Sequence, residues 1–163
     1  MRTLTLVAAL LVLAAAAAQL SCGQKNAAEA EIIVIHPTAT IETKQGIPQF
    51  VGISGKNAGT KHISMNKVVI PPGKSAKAHI HKGYESVVYI IKGRVKTLYG
   101  EGLKKSVINE AGDFLYIPAD LPHKPVNLSD TEAAEAIVAR TDPNEQESVE
   151  QITEPEGVGV EKK

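Results

Sequence analysis

The sequence contains no tryptophan, one cysteine, four tyrosines and two phenylalanines. A single cysteine cannot form a disulfide within the chain. The chain also has no formal net charge, with 18 basic and 18 acidic residues, and it has no dense cluster of lysine and arginine. Nucleic-acid binding normally requires a basic surface, often with aromatic residues that stack on bases. The composition therefore gives no support to a nucleic-acid partner.

No apolar run is long enough for a comfortable membrane span, which needs about twenty residues. The longest run, residues 4–18, is apolar apart from Thr5 and follows the positive charge of Arg2. A charged start followed by a short apolar stretch is typical of an export signal. We predict a signal peptide at residues 1–22; the alternative is a frayed N-terminal helix.

The only cysteine, Cys22, lies at the end of this segment and follows Ser21. Small residues before a cysteine at this place resemble a bacterial lipoprotein cleavage site, at which the cysteine receives lipid. Cleavage by an ordinary signal peptidase near residues 16–18 is the alternative, because Gln19 is atypical of a lipoprotein site. We expect an exported, periplasmic bacterial protein whose only membrane contact is a lipid anchor, with the outer membrane as its default location.

The rest of the chain divides by composition. Residues 23–42 are predicted to form a linker with two N-terminal strands, at 31–36 and 38–43, and residues 43–148 a single domain. Within that domain, short β-branched runs are separated by turn residues every eight to twelve positions, with no helical period. This pattern predicts an all-β barrel or sandwich. Residues 149–163 are acidic and poor in large apolar residues, which predicts a peripheral or disordered tail.

Three histidines and a glutamate suggest a metal site. Because side chains two apart on a strand share a face, His79 and His81 point the same way. Glu85 follows a turn-like break at residues 82–83, and His123 follows two prolines that end a later strand. Three imidazoles and a carboxylate suit a divalent Mn, Fe, Ni or Zn ion. The alternative is a set of polar residues on a barrel rim.

Two stretches resemble the conserved motifs of the cupin family. In the first, five residues separate Gly73 from the His79-x-His81 pair, and Glu85 and Gly93 follow. The interval from Glu85 to Gly93 is one residue longer than the commonest form.

The second stretch resembles the second cupin motif. Five residues separate Gly112 from Pro118, and His123 and Asn127 follow. Asp120 occupies a position that is usually glycine, and aspartate tolerates left-handed backbone geometry better than most residues.

The resemblance implies a small single-domain cupin, that is, a double-stranded β-helix forming a small jelly-roll barrel. It also implies a metal held by the four predicted ligands, a small-molecule ligand or substrate, and a homodimer. The implied function is a metal-dependent oxygenase or other oxidoreductase of unknown substrate. The alternatives are a non-catalytic periplasmic module that binds a small molecule or metal, and a metal-dependent isomerase or lyase.

Two further side chains are expected to face the metal. Tyr89 has the same strand parity as Glu85, so its ring is predicted to orient a metal-bound ligand; Met65 is expected to line the same pocket. The alternative is ordinary barrel packing, the usual role of sparse aromatic residues in a small β domain.

The lipid anchor has a direct test. A bacterial host fed labelled fatty acid should incorporate the label into the parent protein and not into the Cys22→Ser variant. Absence of label from the parent would indicate a freely soluble secreted protein.

Overall fold

The structure, a computed structural model, describes residues 30–144, 146–155 and 158. The predicted signal peptide and Cys22 lie outside these residues. In the described part, the helices are a four-residue α-helix, α1 (Gly55–Ala58), and a 3₁₀ turn at Glu101–Leu103. Neither has the length or the apolar character needed to cross a membrane.

Two antiparallel sheets make up the fold. The first contains six strands in the order β1-β2-β3-β10-β5-β8, which are β1 (Ile41–Glu42), β2 (Pro48–Ile53), β3 (Ser64–Ile70), β10 (Ala134–Arg140), β5 (Ser86–Lys92) and β8 (Phe114–Ile117). The second contains five in the order β11-β4-β9-β6-β7, which are β11 (Val149–Gln151), β4 (His79–His81), β9 (His123–Asn127), β6 (Arg94–Tyr99) and β7 (Lys105–Glu110). The predicted all-β fold is confirmed.

The sheets face each other across a largely apolar interior. Strand β10 alternates buried and half-buried residues along its whole length, as a strand with one face on a core should. One buried cluster joins residues of both sheets and of the loops between them: Ile47, Ile70, Ala76, Val95 and Ala134. The inward faces of both sheets also line one cavity, described below.

The two predicted N-terminal strands are largely absent. Residues 31–36 form no strand, and Ile32 and Val34 are 95% and 69% exposed. The second predicted strand is reduced to the two residues of β1. A β-branched sequence stabilises a strand only when a neighbouring strand accepts its hydrogen bonds, and residues 31–36 have no such neighbour in the described chain.

The acidic tail begins later than predicted. Residues 149–151 form β11, which pairs with β4 and places Val149 directly opposite His81. Val149 is buried, and the Ile152 amide donates to the Ala78 carbonyl. The prediction failed because Val149 and Ile152 are isolated apolar residues in an acidic stretch, and their contacts come from distant strands.

Asn127, at the end of the second motif, fixes a turn to the sheet. Its side chain is fully buried, and its Nδ2 lies 3.0 Å from the Ile70 carbonyl and 2.7 Å from the Glu132 carbonyl. Its Oδ1 accepts a 2.9 Å bond from the Ser129 amide. One amide group thus satisfies backbone groups of two segments.

We expect Asn127→Ala to lower the free energy of unfolding by roughly 2–4 kcal/mol, because buried backbone groups lose their partners. The measurement is urea denaturation of the purified protein. Asn109→Ala is the matched control, since Asn109 is also buried and accepts one side-chain bond, from Thr97. Equal losses in the two variants would contradict this role of Asn127.

Candidate metal centre

Three histidines meet on the inner face of the second sheet. His79 and His81 are the ends of β4, so their side chains share a face. His123 begins β9 and lies directly opposite His79 in the ladder. Directly opposed residues on neighbouring strands project to the same side of the sheet, so all three rings point inward.

The three rings are close enough to share an ion. A ligand nitrogen chosen from each ring lies within 4.8 Å of the others. The ring centroids of His79 and His123 are 4.2 Å apart, and that of His81 is 5.0 and 5.4 Å from them. Two nitrogens bound to one ion at about 2.1 Å lie no more than about 4.2 Å apart. A small inward movement of the rings therefore suffices for coordination.

Backbone carbonyls orient two of the rings in the same way. The Nδ1 of His79 lies 2.7 Å from the Lys77 carbonyl, and the Nδ1 of His123 lies 2.8 Å from the Leu121 carbonyl. A carbonyl can only accept, so each Nδ1 carries the proton and each Nε2 presents a lone pair. This is the arrangement that prepares an imidazole for a metal.

The His81 ring provides the test of whether a metal fits. Its side chain is buried, and neither ring nitrogen has a hydrogen-bond partner among the described residues. Buried polar groups are nearly always satisfied, and an unsatisfied one points to a water or an ion. The donor chemistry agrees, because three neutral imidazoles form a common set of metal ligands. The three residues therefore fit a divalent transition metal.

Burial keeps these imidazoles neutral. Loss of hydration lowers the pKa of His79 to about 3, with a further contribution from neighbouring His123. The same desolvation lowers the pKa of His123 to about 4. For His81, burial and then the positive charge of Arg140 lower the pKa further. Neutral imidazole is the form that binds metal, so the site is ready for an ion at neutral pH.

Glu85, the fourth predicted ligand, does not join the histidines. Its side chain is exposed and accepts a hydrogen bond from the Tyr116 hydroxyl on the neighbouring strand. The next residue, Ser86, is buried and points inward. Because adjacent residues of an extended segment point to opposite faces, Glu85 points outward, and its prediction as a ligand is corrected.

The alternation of faces along the strands also corrects the prediction that Tyr89 and Met65 line the pocket. Tyr89 is 39% exposed and packs against Phe114 on the outer face, with ring centroids 4.7 Å apart. Met65 is 47% exposed and also lies outside the cavity lining. Tyr89 therefore does not touch a ligand at the three histidines. The inward residues of β5 are Ser86, Val88 and Ile90.

Two residues of the site were missed from the sequence. Arg140, the last residue of β10, is only 6% exposed and lies opposite Ser86 in the ladder. Its Nε donates a 2.9 Å bond to the Ser86 hydroxyl. One sequence feature could have identified Ser86: the interval from Glu85 to Gly93 is one residue too long, and the commonest spacing counted back from Gly93 ends at Ser86.

A turn within the second motif holds His81 in position. Asp120 adopts a positive φ of 59°, a left-handed conformation that aspartate tolerates better than most residues. Its amide donates to the His81 carbonyl at 3.1 Å, and its Oδ1 accepts from the Gly83 amide at 3.0 Å. The aspartate thus links the loops that precede β5 and β9.

The histidines form part of the wall of a cavity of about 80 Å³ between the sheets. His79, His81, Ser86, His123 and Arg140 form a polar region of its lining. Aliphatic residues supply most of the remainder, among them Ile70, Val88, Ile90, Val95, Leu115 and Val138. A space of this size holds a few waters or a molecule of a few heavy atoms.

Part of the chain matches a known domain family. Residues 66–140 match the family model of the cupin domain. This chain therefore carries a cupin domain, as the motifs predicted. No functionally curated protein sequence matches the chain.

Solved structures with this fold include enzymes of several kinds. An oxalate oxidase in complex with the substrate analogue glycolate is 23% identical, with a TM-score of 0.63, covering 80% of this chain and 69% of its own. The polyketide cyclase RemF of Streptomyces resistomycificus is 17% identical, with a TM-score of 0.60 and coverages of 77% and 89%.

An oxalate decarboxylase of Lactobacillus farciminis, in a formate complex, is 22% identical with a TM-score of 0.59. The match covers 69% of this chain but only 33% of the decarboxylase. At these identities the likeness shows the fold alone.

The buried histidines should make the metal-free protein less stable in acid. Their pKa values are lower in the folded chain than the ordinary 6.5, so below that pH the unfolded chain binds more protons. Stability is therefore fully present above pH 6.5 and falls as the pH drops towards 4. Each neutral histidine should contribute roughly 1.4 kcal/mol per pH unit.

Urea denaturation of metal-free protein between pH 7 and pH 5 measures this slope. The His123→Gln variant should have a shallower slope, by about one histidine's contribution, because it lacks one such group. The same slope in both proteins would show that burial does not hold His123 neutral.

Proposed function

We propose that this chain is a metal-dependent oxidoreductase of the oxygenase type, acting on a small molecule held in the cavity between its sheets. The observation that supports it most directly is the convergence of three buried, neutral imidazoles on the cavity wall. Three protein ligands leave further positions on a four- to six-coordinate ion for substrate or oxygen. Such an open site is a requirement of metal catalysis.

The choice of metal follows from the corrected ligand set. Manganese favours carboxylate ligands, whereas imidazole suits zinc, iron and nickel. With Glu85 outside the cavity, we propose iron, nickel or zinc ahead of manganese. Of these, iron and nickel change oxidation state and suit an oxidoreductase.

The protein residues would prepare the site for such an ion. The bound metal would supply a Lewis acid and, for iron or nickel, a change of oxidation state that allows electrons to pass from the substrate to oxygen. His79 and His123, held by backbone carbonyls, would keep their Nε2 lone pairs aimed at a common point. The aliphatic walls would exclude bulk water and strengthen electrostatic interactions inside the cavity.

The lack of a suitable base disfavours an isomerase or lyase. Metal-assisted proton transfer needs a side chain that takes a proton from carbon. Among the described cavity residues the carboxylate is Glu135, whose Oε2 pairs with the Lys67 ammonium at 2.7 Å. Oxidation at a metal needs mainly ligands, open positions and a dry site, all of which this arrangement supports.

The structural neighbours support a small substrate. One was solved with glycolate and another with formate, both of a few heavy atoms. A cavity of about 80 Å³ suits molecules of that size. One fold hosts many reactions, so the oxidase, decarboxylase and cyclase do not select a reaction for this chain.

Export and oligomeric state extend the proposal. We propose that the protein works outside the cytoplasm, tethered through Cys22, and as a homodimer. The N-terminal sequence supports the first. The contiguous exposed apolar residues Ile32, Ile33 and Val34 support the second, since contiguous apolar groups on a surface often mark an interaction site. Sedimentation of the mature protein at the size of a monomer would count against the dimer.

The experiment is metal loading followed by nitric oxide, a stand-in for oxygen. Purified protein should bind one Fe²⁺ per chain, and nitric oxide should then give a high-spin paramagnetic resonance signal. Oxygen uptake should follow when glycolate or a related small acid is added. His81→Ala should lose the iron and the signal, whereas Glu85→Gln, which changes an exposed carboxylate, should keep both.

Two results would contradict the proposal in different ways. Iron retained by His81→Ala, or lost from Glu85→Gln, would overturn the three-histidine site. Iron bound by the parent without a nitric oxide signal or oxygen uptake would leave the non-catalytic binding module as the function.

A further inference from the structure

One of the two peptide groups that orient the histidine rings is held at both of its ends. The Lys77 carbonyl accepts from the His79 Nδ1 at 2.7 Å. The amide of Ala78, which is the other end of the same peptide group, donates to the Oε1 of Glu154 at 3.2 Å. A continuous path of hydrogen bonds therefore runs from the Glu154 carboxylate through one peptide plane to the His79 ring.

The second oxygen of Glu154 is tied to the other strand that carries a histidine. Its Oε2 accepts from the Lys124 ammonium at 2.5 Å, and Lys124 directly follows His123 in β9. The Lys124 side chain is only 11% exposed, so water screens this pair less than a pair between two exposed groups. The hydrogen bond from Lys124 also lowers the pKa of Glu154, which favours the charged carboxylate. One carboxylate thus joins the residue before His79 to the residue after His123.

The segment that carries Glu154 is docked firmly on the second sheet. β11 pairs with all three residues of β4, and the Ile152 amide donates to the Ala78 carbonyl at 3.0 Å. Ile152 also packs on a buried apolar cluster outside the cavity lining, formed by Ala78, Leu98 and Leu103. The amide and the carbonyl of Ala78 are therefore both bonded to this segment, which places the Glu154 carboxylate beside the peptide group.

Resting on the proposed metal, we propose that Glu154 is a positioning residue of the metal centre, which acts on His79 through the Lys77–Ala78 peptide group. A carboxylate that accepts from the amide polarises the peptide, so that its carbonyl becomes a stronger acceptor. A stronger acceptor at Nδ1 fixes the ring and makes the Nε2 a better metal donor. Histidine ligands often bond to a carboxylate directly, and here a peptide group lies between the two.

His123 provides a comparison within the same molecule. Its Nδ1 is oriented in the same way, by the Leu121 carbonyl at 2.8 Å. The other end of that peptide group is the nitrogen of Pro122, which has no hydrogen to donate. No carboxylate can therefore bond to this peptide as Glu154 does to the other, and loss of Glu154 should affect the two rings unequally.

The first measurement is Co²⁺ affinity, by visible absorption. Loss of a group that orients a metal-ligating histidine weakens metal binding by roughly 10- to 100-fold, and we expect about tenfold for Glu154→Ala because its effect passes through a peptide group. Glu154→Gln keeps an oxygen that can accept from the Ala78 amide but loses the charge, so its affinity should be intermediate. Glu110→Ala, which breaks an ion pair with Arg94 in the same sheet, should bind Co²⁺ like the parent.

The second measurement distinguishes an effect on one ring from a general loosening of the sheet. Proton NMR of ¹⁵N-histidine-labelled protein, without metal and with Zn²⁺, reports the Nδ1–H group of each ring. In Glu154→Ala the His79 Nδ1 proton should move upfield and exchange with water several-fold faster, because its hydrogen bond is weaker. The His123 Nδ1 proton should keep the shift and the exchange rate that it has in the parent.

The outcomes separate this inference from the metal proposal. Co²⁺ affinity equal to the parent's in Glu154→Ala, or changes of equal size at the two ring protons, would overturn the role of Glu154 and leave the metal site intact. If Glu154→Ala does not fold, the same comparisons on Glu154→Gln decide. Absence of Co²⁺ and Zn²⁺ binding to the parent would overturn the metal centre, and the role of Glu154 in it, together.

Discussion

The pairing of His79 with His123 across β4 and β9 is the constraint on which the site depends. Backbone hydrogen bonds of the ladder set the separation of the two rings, and each Nδ1 is fixed by the carbonyl two residues earlier in its own chain. The site therefore does not rely on a metal to assemble it. A preorganised pair of this kind loses little conformational entropy when an ion arrives, which favours tight and geometrically selective binding.

That preorganisation has an energetic cost. Three imidazoles are desolvated together, and in the described part of the chain His81 has no hydrogen-bond partner on either nitrogen. An unsatisfied buried polar group costs about 1–3 kcal/mol, a large share of the net stability of a small domain. Such a group persists when the surrounding structure is strong enough to hold it and when a ligand that binds only the folded state offsets the cost. The unsatisfied ring is therefore the clearest indication that the cavity is built to be occupied.

Sequence patterns predicted correctly those features that depend on local residue spacing. They failed for features that depend on pairing with a strand distant in the chain. The shared face of His79 and His81 follows from the period of a strand, and the left-handed turn at Asp120 follows from residue chemistry. The face of Glu85 could not be predicted by counting forward from His81, because a short turn lies between them and the number of residues in a turn does not fix which face the next strand residue takes; only the spacing counted back from Gly93 pointed to Ser86. Only the register of β5 against β10, which pairs Ser86 with Arg140, determines which residue points inward. The predicted N-terminal strand at 31–36 failed for the same reason, since its formation depends on a partner strand.

The presence of Ser86 and not Glu85 at the inward position changes the charge of the cavity. A carboxylate on the inner face would have given the metal an anionic ligand and Arg140 an acidic neighbour. Glu85 instead lies outside and accepts a hydrogen bond from the Tyr116 hydroxyl, so it supplies neither a metal ligand nor an acidic neighbour of Arg140. The cavity therefore contains the neutral imidazoles beside the permanent positive charge of Arg140. Buried charges need compensation, because their loss of hydration is otherwise unfavourable by several kcal/mol. The imidazoles remain neutral, so they add no further positive charge beside Arg140.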